Sequence, residues 1–418
     1  MYTQLRDSLA AASADRPEEQ RVPWWRVSRN VVNLGLTSFF TDVSSEMIST
    51  VLPLYLVFAL RMTTLQLGVV DGVYTGATAL MRLAAGLAAD RGGRHKEVAL
   101  AGYGLSAVCK LGLLAAGGAF GPLVAVIMAD RAGKGIRTAP RDALISLSTP
   151  PERLGIAFGV HRALDTGGAL VGPLVAFALL TALPGKFDAI FMVSFCFAAI
   201  GVAVLLVLVE GRRAKAAAGP AFSLRPALAL LRLPRFRLLV LAGAGLGLAT
   251  IADAFVYLAL QRRVEFPPTF LPLLYVLTSV VYLLLAVPAG RVADRLGRGR
   301  VLVGGYVALA AVYVALLLPA DGPALVLGAV LAFGAYYACT DGVMSALASG
   351  LLPAESRSAG LALLGTGIAL AGLVGSVLFG AIWTAAGLQA AVVAFLVGLA
   401  LATGLLAAGL IRTRTAGR

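Results

Sequence analysis

Apolar runs of about 20 residues recur along the chain, separated by short stretches rich in charge, glycine or proline. A helical run of that length spans the hydrocarbon core of a bilayer. Twelve such runs are placed at 30–58, 65–89, 97–117, 122–148, 155–183, 188–209, 237–260, 270–292, 300–319, 323–349, 358–384 and 387–411. The pattern predicts an all-α membrane protein with twelve transmembrane helices. Residues 1–29 are polar and mixed in charge, with no short apolar core before a cleavage site, so they read as a cytoplasmic tail and not as a secretory signal. The longest interior polar stretch, 210–236, divides six spans from six. The expected organisation is therefore a tail (1–29), a six-helix bundle (30–209), a cytoplasmic linker (210–236), a second bundle (237–411) and a short tail (412–418).

Composition supports the membrane reading. The 418 residues are 59% hydrophobic and 13% charged, with a mean hydropathy of +0.88. Soluble domains carry about 25% charged residues. The net charge of +14 would suggest nucleic acid in a soluble protein. Here Lys and Arg sit between the spans: with the N-terminus inside, twenty-three fall in cytoplasmic segments and four (Arg61, Lys186, Arg262 and Arg263) in outer loops. That bias places both termini in the cytoplasm, with the protein in the plasma (inner) membrane, and leaves no nucleic-acid partner to explain. Cys109, Cys196 and Cys339 are far apart inside apolar segments, and His95 and His161 are the only histidines, so neither a disulfide framework nor a His/Cys metal site is expected.

The two halves repeat. "GLAADRGGRHK" (Gly86–Lys96) follows the second span and "GRVADRLGRGR" (Gly290–Arg300) follows the eighth, 204 residues later. "LGLTSFFTD" and "LGLATIAD", and the stretches after Arg141 and Asp341, match at similar offsets. An internal repeat of this kind marks secondary transporters, which bind substrate between the repeats near the midplane. The Gly-x-x-x-Asp-Arg-x-Gly-Arg pattern between spans two and three resembles the best-known signature of the major facilitator superfamily. Arg131-x-x-x-Gly135-x-x-x-Ala139 resembles its fourth-helix signature. Gly168-x-x-x-Gly172-Pro173 resembles the fifth-helix signature of its antiporters, although Ala176 and Phe177 stand where that branch has a glycine pair. "FFTDVSSEMIS" and "GKGIRTAPRDALI" resemble a bacterial subgroup with mostly unassigned substrates. The resemblance implies two pseudo-symmetric six-helix bundles, alternating access, a monomer, and gating loops at Gly86, Asp90, Arg91, Gly93 and Arg94 and at Gly290, Asp294, Arg295, Gly297 and Arg298. Positive-inside topology explains Arg94 and Lys96 equally well; it does not explain an aspartate recurring four residues after glycine.

Ionisable residues inside spans are costly and are functional candidates by default. Asp42 and Glu46 are four apart on one face of span one, with Asp42 ~18 Å from the inner end. Like charges at that depth disfavour double ionisation, which suits a proton carrier; a salt bridge to span four is the alternative, and the two are compatible. In span four Asp130, Lys134, Arg137 and Arg141 fall at i, i+4, i+7 and i+11, one helical face. Arg131 and Lys134 are deep enough to need a carboxylate, a substrate or a water-filled cavity. Arg141 and Asp142 reach the cytoplasmic mouth, where snorkelling makes charge cheap, and Arg137 lies on the boundary. Span five adds His161, Arg162 and Asp165, span seven Asp253, and span ten Asp341 beside Tyr336 and Tyr337. Proton coupling is expected to involve Asp42, Glu46, Arg131 and Asp165. The cavity candidates are Asp130, Lys134, Arg137, His161, Arg162, Asp253, Tyr336, Tyr337 and Asp341, with Tyr257, Tyr275 and Tyr282 as further wall positions.

Met128 stands where a phosphate loop needs its first glycine, and Gly135 follows Lys134 in place of Ser or Thr, so no ATP site is expected. No cofactor, metal or covalent step is implied, and the chain does not read as an enzyme. Its partners are the lipid bilayer, protons and a small-molecule substrate. The leading expectation is proton-coupled export of a small organic compound. An anionic metabolite or metal chelate held by Arg131, Lys134 and Arg162 is the alternative, and a receptor on the same fold that moves nothing is a further one.

Overall fold

A computed structural model describes residues 27–88, 94–150, 153–211, 228–319, 322–353 and 357–415. They form helices α1 (Arg29–Leu54, continued as a π-turn over Tyr55–Ala59), α2 (Thr64–Ala88), α3 (His95–Ala115), α4 (Phe120–Leu147), α5 (Leu154–Ala182), α6 (Phe187–Leu208), α7 (Pro234–Leu248), α8 (Asp253–Val264), α9 (Leu271–Leu296), α10 (Arg298–Leu317), α11 (Pro323–Thr340), α12 (Val343–Ser349) and α13 (Arg357–Thr415). Nine helical segments among the described residues are long and apolar enough to cross a membrane. One of these joins α7 to α8, another joins α11 to α12, and α13 is kinked at Gly387 (φ 86°). The helix α4 has the length but carries Asp130, Arg131, Lys134 and Arg137 at its centre.

Large apolar side chains point outward all round, among them Val207 (74% exposed), Leu284, Leu401 and Leu405. A belt of this kind is stable only where lipid covers it.

The interruptions follow from how the backbone is satisfied. Between α7 and α8 the chain leaves the helix at Thr250–Ala252. The fully buried Tyr313 fills the break: its hydroxyl accepts from Ile251 N (2.6 Å) and donates to Ala249 O (2.9 Å). A helix can break at membrane depth when neighbouring groups replace the lost hydrogen bonds in this way. Between α11 and α12 the turn falls on Asp341 and Gly342, the latter at φ 73°.

The helices α1 to α6 pack mainly among themselves, as do α7 to α13, and the two sets meet through α2 against α13 and α5 against α9. Within the first set, α1 and α5 approach closely at the glycines of the fifth-helix pattern. A Cβ on Gly168 would collide with Phe39 O, and one on Gly172 would lie 2.7 Å from Val43 O. These glycines are thus required for packing. Gly172→Val is expected to lower the unfolding free energy by about 1–3 kcal/mol, as overpacking does, measured by thermal or denaturant unfolding in detergent. Gly404→Val, where a Cβ meets nothing within 4 Å, is the control that should change little.

Contacts between the two sets gather at one end. Since α1 runs from Arg29 to Ala59, the start of α2 lies at the end away from Arg29. There Thr64 Oγ1 bonds Thr384 Oγ1 (2.8 Å), Leu65 N donates to Thr384 Oγ1 (3.0 Å), and Ser376 Oγ donates to Asp71 Oδ2 (2.6 Å). The Phe177 and Phe270 rings meet at 5.6 Å. This end is closed.

Candidate functional site

Beneath the closed end, between the two helix sets, lies a cavity of about 1040 Å³, lined by side chains of α1, α2 and α4 on one side and of α7 to α11 and α13 on the other. That is the size of a site for a small organic molecule. Of the residues singled out in the sequence, Glu46, Arg131, Lys134, Asp253, Tyr336 and Tyr337 line it, as does Tyr275.

The basic residues of α4 are held differently from one another. Asp130 (7% exposed) turns away from the cavity and sits between two cations: Lys110 Nζ of α3 at 2.9 Å from Oδ1, and Arg131, bonded to Oδ2. The Arg131 guanidinium stands over the Tyr74 ring, 3.9 Å from its centroid, and Arg131 also lines the cavity. Lys134 makes no ion pair or hydrogen bond through its ammonium among the described residues; the charges nearest it include Asp42 and Glu46. Arg137 is not on a boundary: it is 3% exposed, stacks on Tyr103 at 4.3 Å, and faces Asp42 at 3.7 Å, leaving its Nη1 without a partner. The single face expected for Asp130, Lys134, Arg137 and Arg141 is therefore divided: Lys110 of α3 draws Asp130 away, and Arg137 turns to Asp42 of α1.

Asp42 and Glu46 divide in the same way. Asp42 points at Arg137 of α4, and Asp165 is among the charges that act on it. Glu46 faces the cavity and accepts from Ser49 Oγ (2.7 Å). Towards the termini, Arg141 pairs with Asp142 (2.9 Å) and Asp165 (3.6 Å), and Asp165 also faces Arg162 (3.6 Å). His161 is buried and bonds Ser38 Oγ (2.9 Å), which also reaches Tyr103 Oη (3.2 Å). Polar and charged side chains thus gather inside the first helix set, behind the cavity wall formed by Glu46, Arg131 and Lys134.

Asp130, Arg137, His161, Arg162 and Asp341 are not among the cavity's lining residues. The first three are enclosed by neighbouring helices, Arg162 is 80% exposed, and Asp341 sits at the α11–α12 break accepting from Tyr282 Oη (2.9 Å). Of the gating residues, Asp90, Arg91 and Gly93 lie outside the described residues. Gly86 lies near the end of α2, and Arg94 precedes α3. In the second copy Gly290 stands in open space within α9, Gly297 (φ 98°) turns the chain from α9 into α10, and Arg295 ends α9. Asp294 pairs with Arg298 (3.6 Å), whose Nη1 donates to Ala346 O (2.9 Å), tying this loop to α12.

The sequence reading missed Asp71 and Lys110. Asp71 lines the cavity from α2 and accepts from Ser376; Asp253 accepts from Tyr337 Oη (2.5 Å) on the opposite side. Both Asp71 and Lys110 are charges inside apolar spans, so the rule that selected Asp42 would have selected them.

The comparisons agree with this geometry. The sequence matches the Major Facilitator Superfamily profile over residues 34–277 and 249–418. It is 31% identical over 363 residues to an uncharacterised MFS-type transporter of Methanocaldococcus jannaschii, covering 85% of this chain and 89% of that one. An uncharacterised protein of Mycobacterium bovis is 34% identical over 173 residues, 41% of this chain and 40% of its own. Among solved structures, the nucleoside transporter NupG superposes with a TM-score of 0.77 at 17% identity, covering 91% of this chain and 99% of that one, and a peptide transporter, POT, with 0.76 at 14% identity, covering 92% and 95%. The family is one of membrane transporters for small molecules, not a class of enzymes. An apolar belt, two packed helix sets and a cavity between them, together with these matches, lead to one conclusion: the chain is an integral membrane protein of the Major Facilitator Superfamily.

Proposed function

We propose that the protein exports a small organic compound in exchange for protons, by alternating access across the plasma (inner) membrane. In this reading the chain crosses twelve times. The pairs α7–α8 and α11–α12 each form one interrupted crossing, and α13 forms two, joined at Gly387. Two six-helix bundles, 30–209 and 237–411, are joined by the cytoplasmic linker 210–236, with the tails 1–29 and 412–418 also cytoplasmic, and the protein works as a monomer. The closed end then faces outward, and the cavity belongs to an inward-facing state.

The observation that carries proton coupling is the group of carboxyls on and beside α1: Glu46 in the cavity wall, Asp42 one turn away and paired with Arg137, and Asp165 close enough for its charge to act on Asp42. Asp42 is held by one ion pair at 3.7 Å to an arginine with a free nitrogen. A contact so loose can be exchanged for a proton without breaking a full network. Arg131 and Lys134 place two positive charges near the Glu46 carboxylate. Everted vesicles with an imposed proton gradient test this: substrate uptake should dissipate the gradient, and Asp42→Asn or Glu46→Gln should lower coupled uptake about tenfold or more. Wild-type rates in both variants would sink the proposal.

Lys134, with no ion pair among the described residues, supports a second reading, transport of an anionic metabolite or metal chelate. It is the weaker one, since Arg162, the third counter-charge it calls on, stands outside the cavity.

A further inference from the structure

The charges of the cavity are segregated. Lys134 and Arg131 lie among acids of their own side: Asp42 and Glu46 for the lysine, Asp130 and Glu46 for the arginine. Asp71 and Asp253, one from each helix set, are near enough for their charges to interact, and the hydrogen bonds their side chains accept come from hydroxyls, those of Ser376 and Tyr337. Neither makes an ion pair among the described residues. Two carboxylates placed so deep without a counter-charge are expensive, and a positive ligand group would remove that cost.

The wall beside Asp253 is aromatic. Tyr275, Tyr306, Tyr336 and Tyr337 line the cavity there, with the Tyr336 and Tyr337 rings 5.0 Å apart and Tyr306 5.6 Å from Tyr336. Tyr306 is 7% exposed, yet its hydroxyl makes no hydrogen bond within the described residues. The ring is buried while the hydroxyl lies on the cavity wall, open to a partner on the ligand. Carboxylates combined with ring faces attract organic cations. They suit a metal ion poorly, and among the described residues there is no group of three His, Cys, Asp or Glu that could hold one.

We infer that the Asp71–Asp253 end of the cavity, with its tyrosine wall, binds an organic cation: a protonated amine or a quaternary ammonium or phosphonium group. The inference rests on the transport reading only in making that cation the cargo. Binding itself is independent of any gradient.

The test is equilibrium binding to purified full-length protein in detergent, with tetraphenylphosphonium and tetraphenylborate as ligands of equal shape and opposite charge. Tetraphenylphosphonium should bind, and Asp253→Asn should weaken it about tenfold or more, as expected for loss of a charged contact. Asp71→Asn should also weaken it. Tyr337→Phe keeps the ring and frees the carboxylate, so affinity should be retained, whereas Tyr337→Leu should lose several-fold. Unchanged phosphonium affinity in both aspartate variants, at wild-type unfolding temperature, overturns the inference. So does preferential binding of tetraphenylborate lost in Lys134→Gln, which would favour an anionic substrate. Asp253-dependent binding with no proton-linked flux would leave the cation site standing and refute proton-coupled export alone.

Discussion

Replacing Asp130 by asparagine is expected to destabilise the protein by about 3–5 kcal/mol, the usual cost of stranding a buried charge. Asp130, Lys110 and Arg131 are 7%, 2% and 3% exposed, and the carboxylate is the anion that both cations contact. Without it, an ammonium from α3 and a guanidinium from α4 would face each other in a low-dielectric interior, where their repulsion is little screened. The consequence reaches the cavity, because Asp130 also holds Arg131 over the Tyr74 ring. A double variant separates charge from packing. Lys110→Met combined with Asp130→Asn removes one cation along with the anion, and should recover a large part of the loss. Unfolding in detergent, followed by tryptophan fluorescence or calorimetry, reads both. If Asp130→Asn alone unfolds at the wild-type temperature, the triad does not stabilise the bundle.

Much of the architecture was legible in the sequence, and the physical reason is simple. Lipid demands long apolar helices with every backbone group satisfied, so helix ends fall close to where apolar runs stop: 65–89 against Thr64–Ala88, 188–209 against Phe187–Leu208. The breaks in the seventh and tenth spans were not legible. Thr250–Ala252 has no proline, and its backbone is satisfied by Tyr313, a residue 62 positions away. The site was legible in its residue types and not in its pairings. Depth along an ideal helix put Arg137 on a boundary, whereas its burial depends on Asp42 and Tyr103, supplied by helices whose rotation about α4 no single sequence reveals. Glu46 and Lys134 were found by their cost in a bilayer. Asp71 carries the same cost and the same signal.

Gly380→Val should lower transport about 5- to 150-fold while leaving the fold intact. The helices α2 and α13 touch backbone to backbone at the closed end: a Cβ on Gly380 would collide with Thr64 O, one on Gly68 with Ser376 O, and one on Gly72 would lie 2.9 Å from Leu373 O. No side-chain rotation relieves a clash with a carbonyl, so a valine at Gly380 must push the two helix sets apart. The Thr64–Thr384 and Ser376–Asp71 hydrogen bonds would open with it. A clash of about 1–3 kcal/mol shifts the ratio of the two access states about 5- to 150-fold. Asp71 belongs both to this seam and to the cavity, so a wedge at Gly380 is expected to disturb the cavity as well as the seam. Cysteine labelling checks it. In Gly380→Val, a cysteine introduced at Tyr275 should react faster with a membrane-impermeant reagent applied from the end away from the termini, and transport should fall by a similar factor. The packing-neutral Gly404→Val should behave as wild type. Normal transport and unchanged labelling in Gly380→Val would mean that the α2–α13 seam is not the gate.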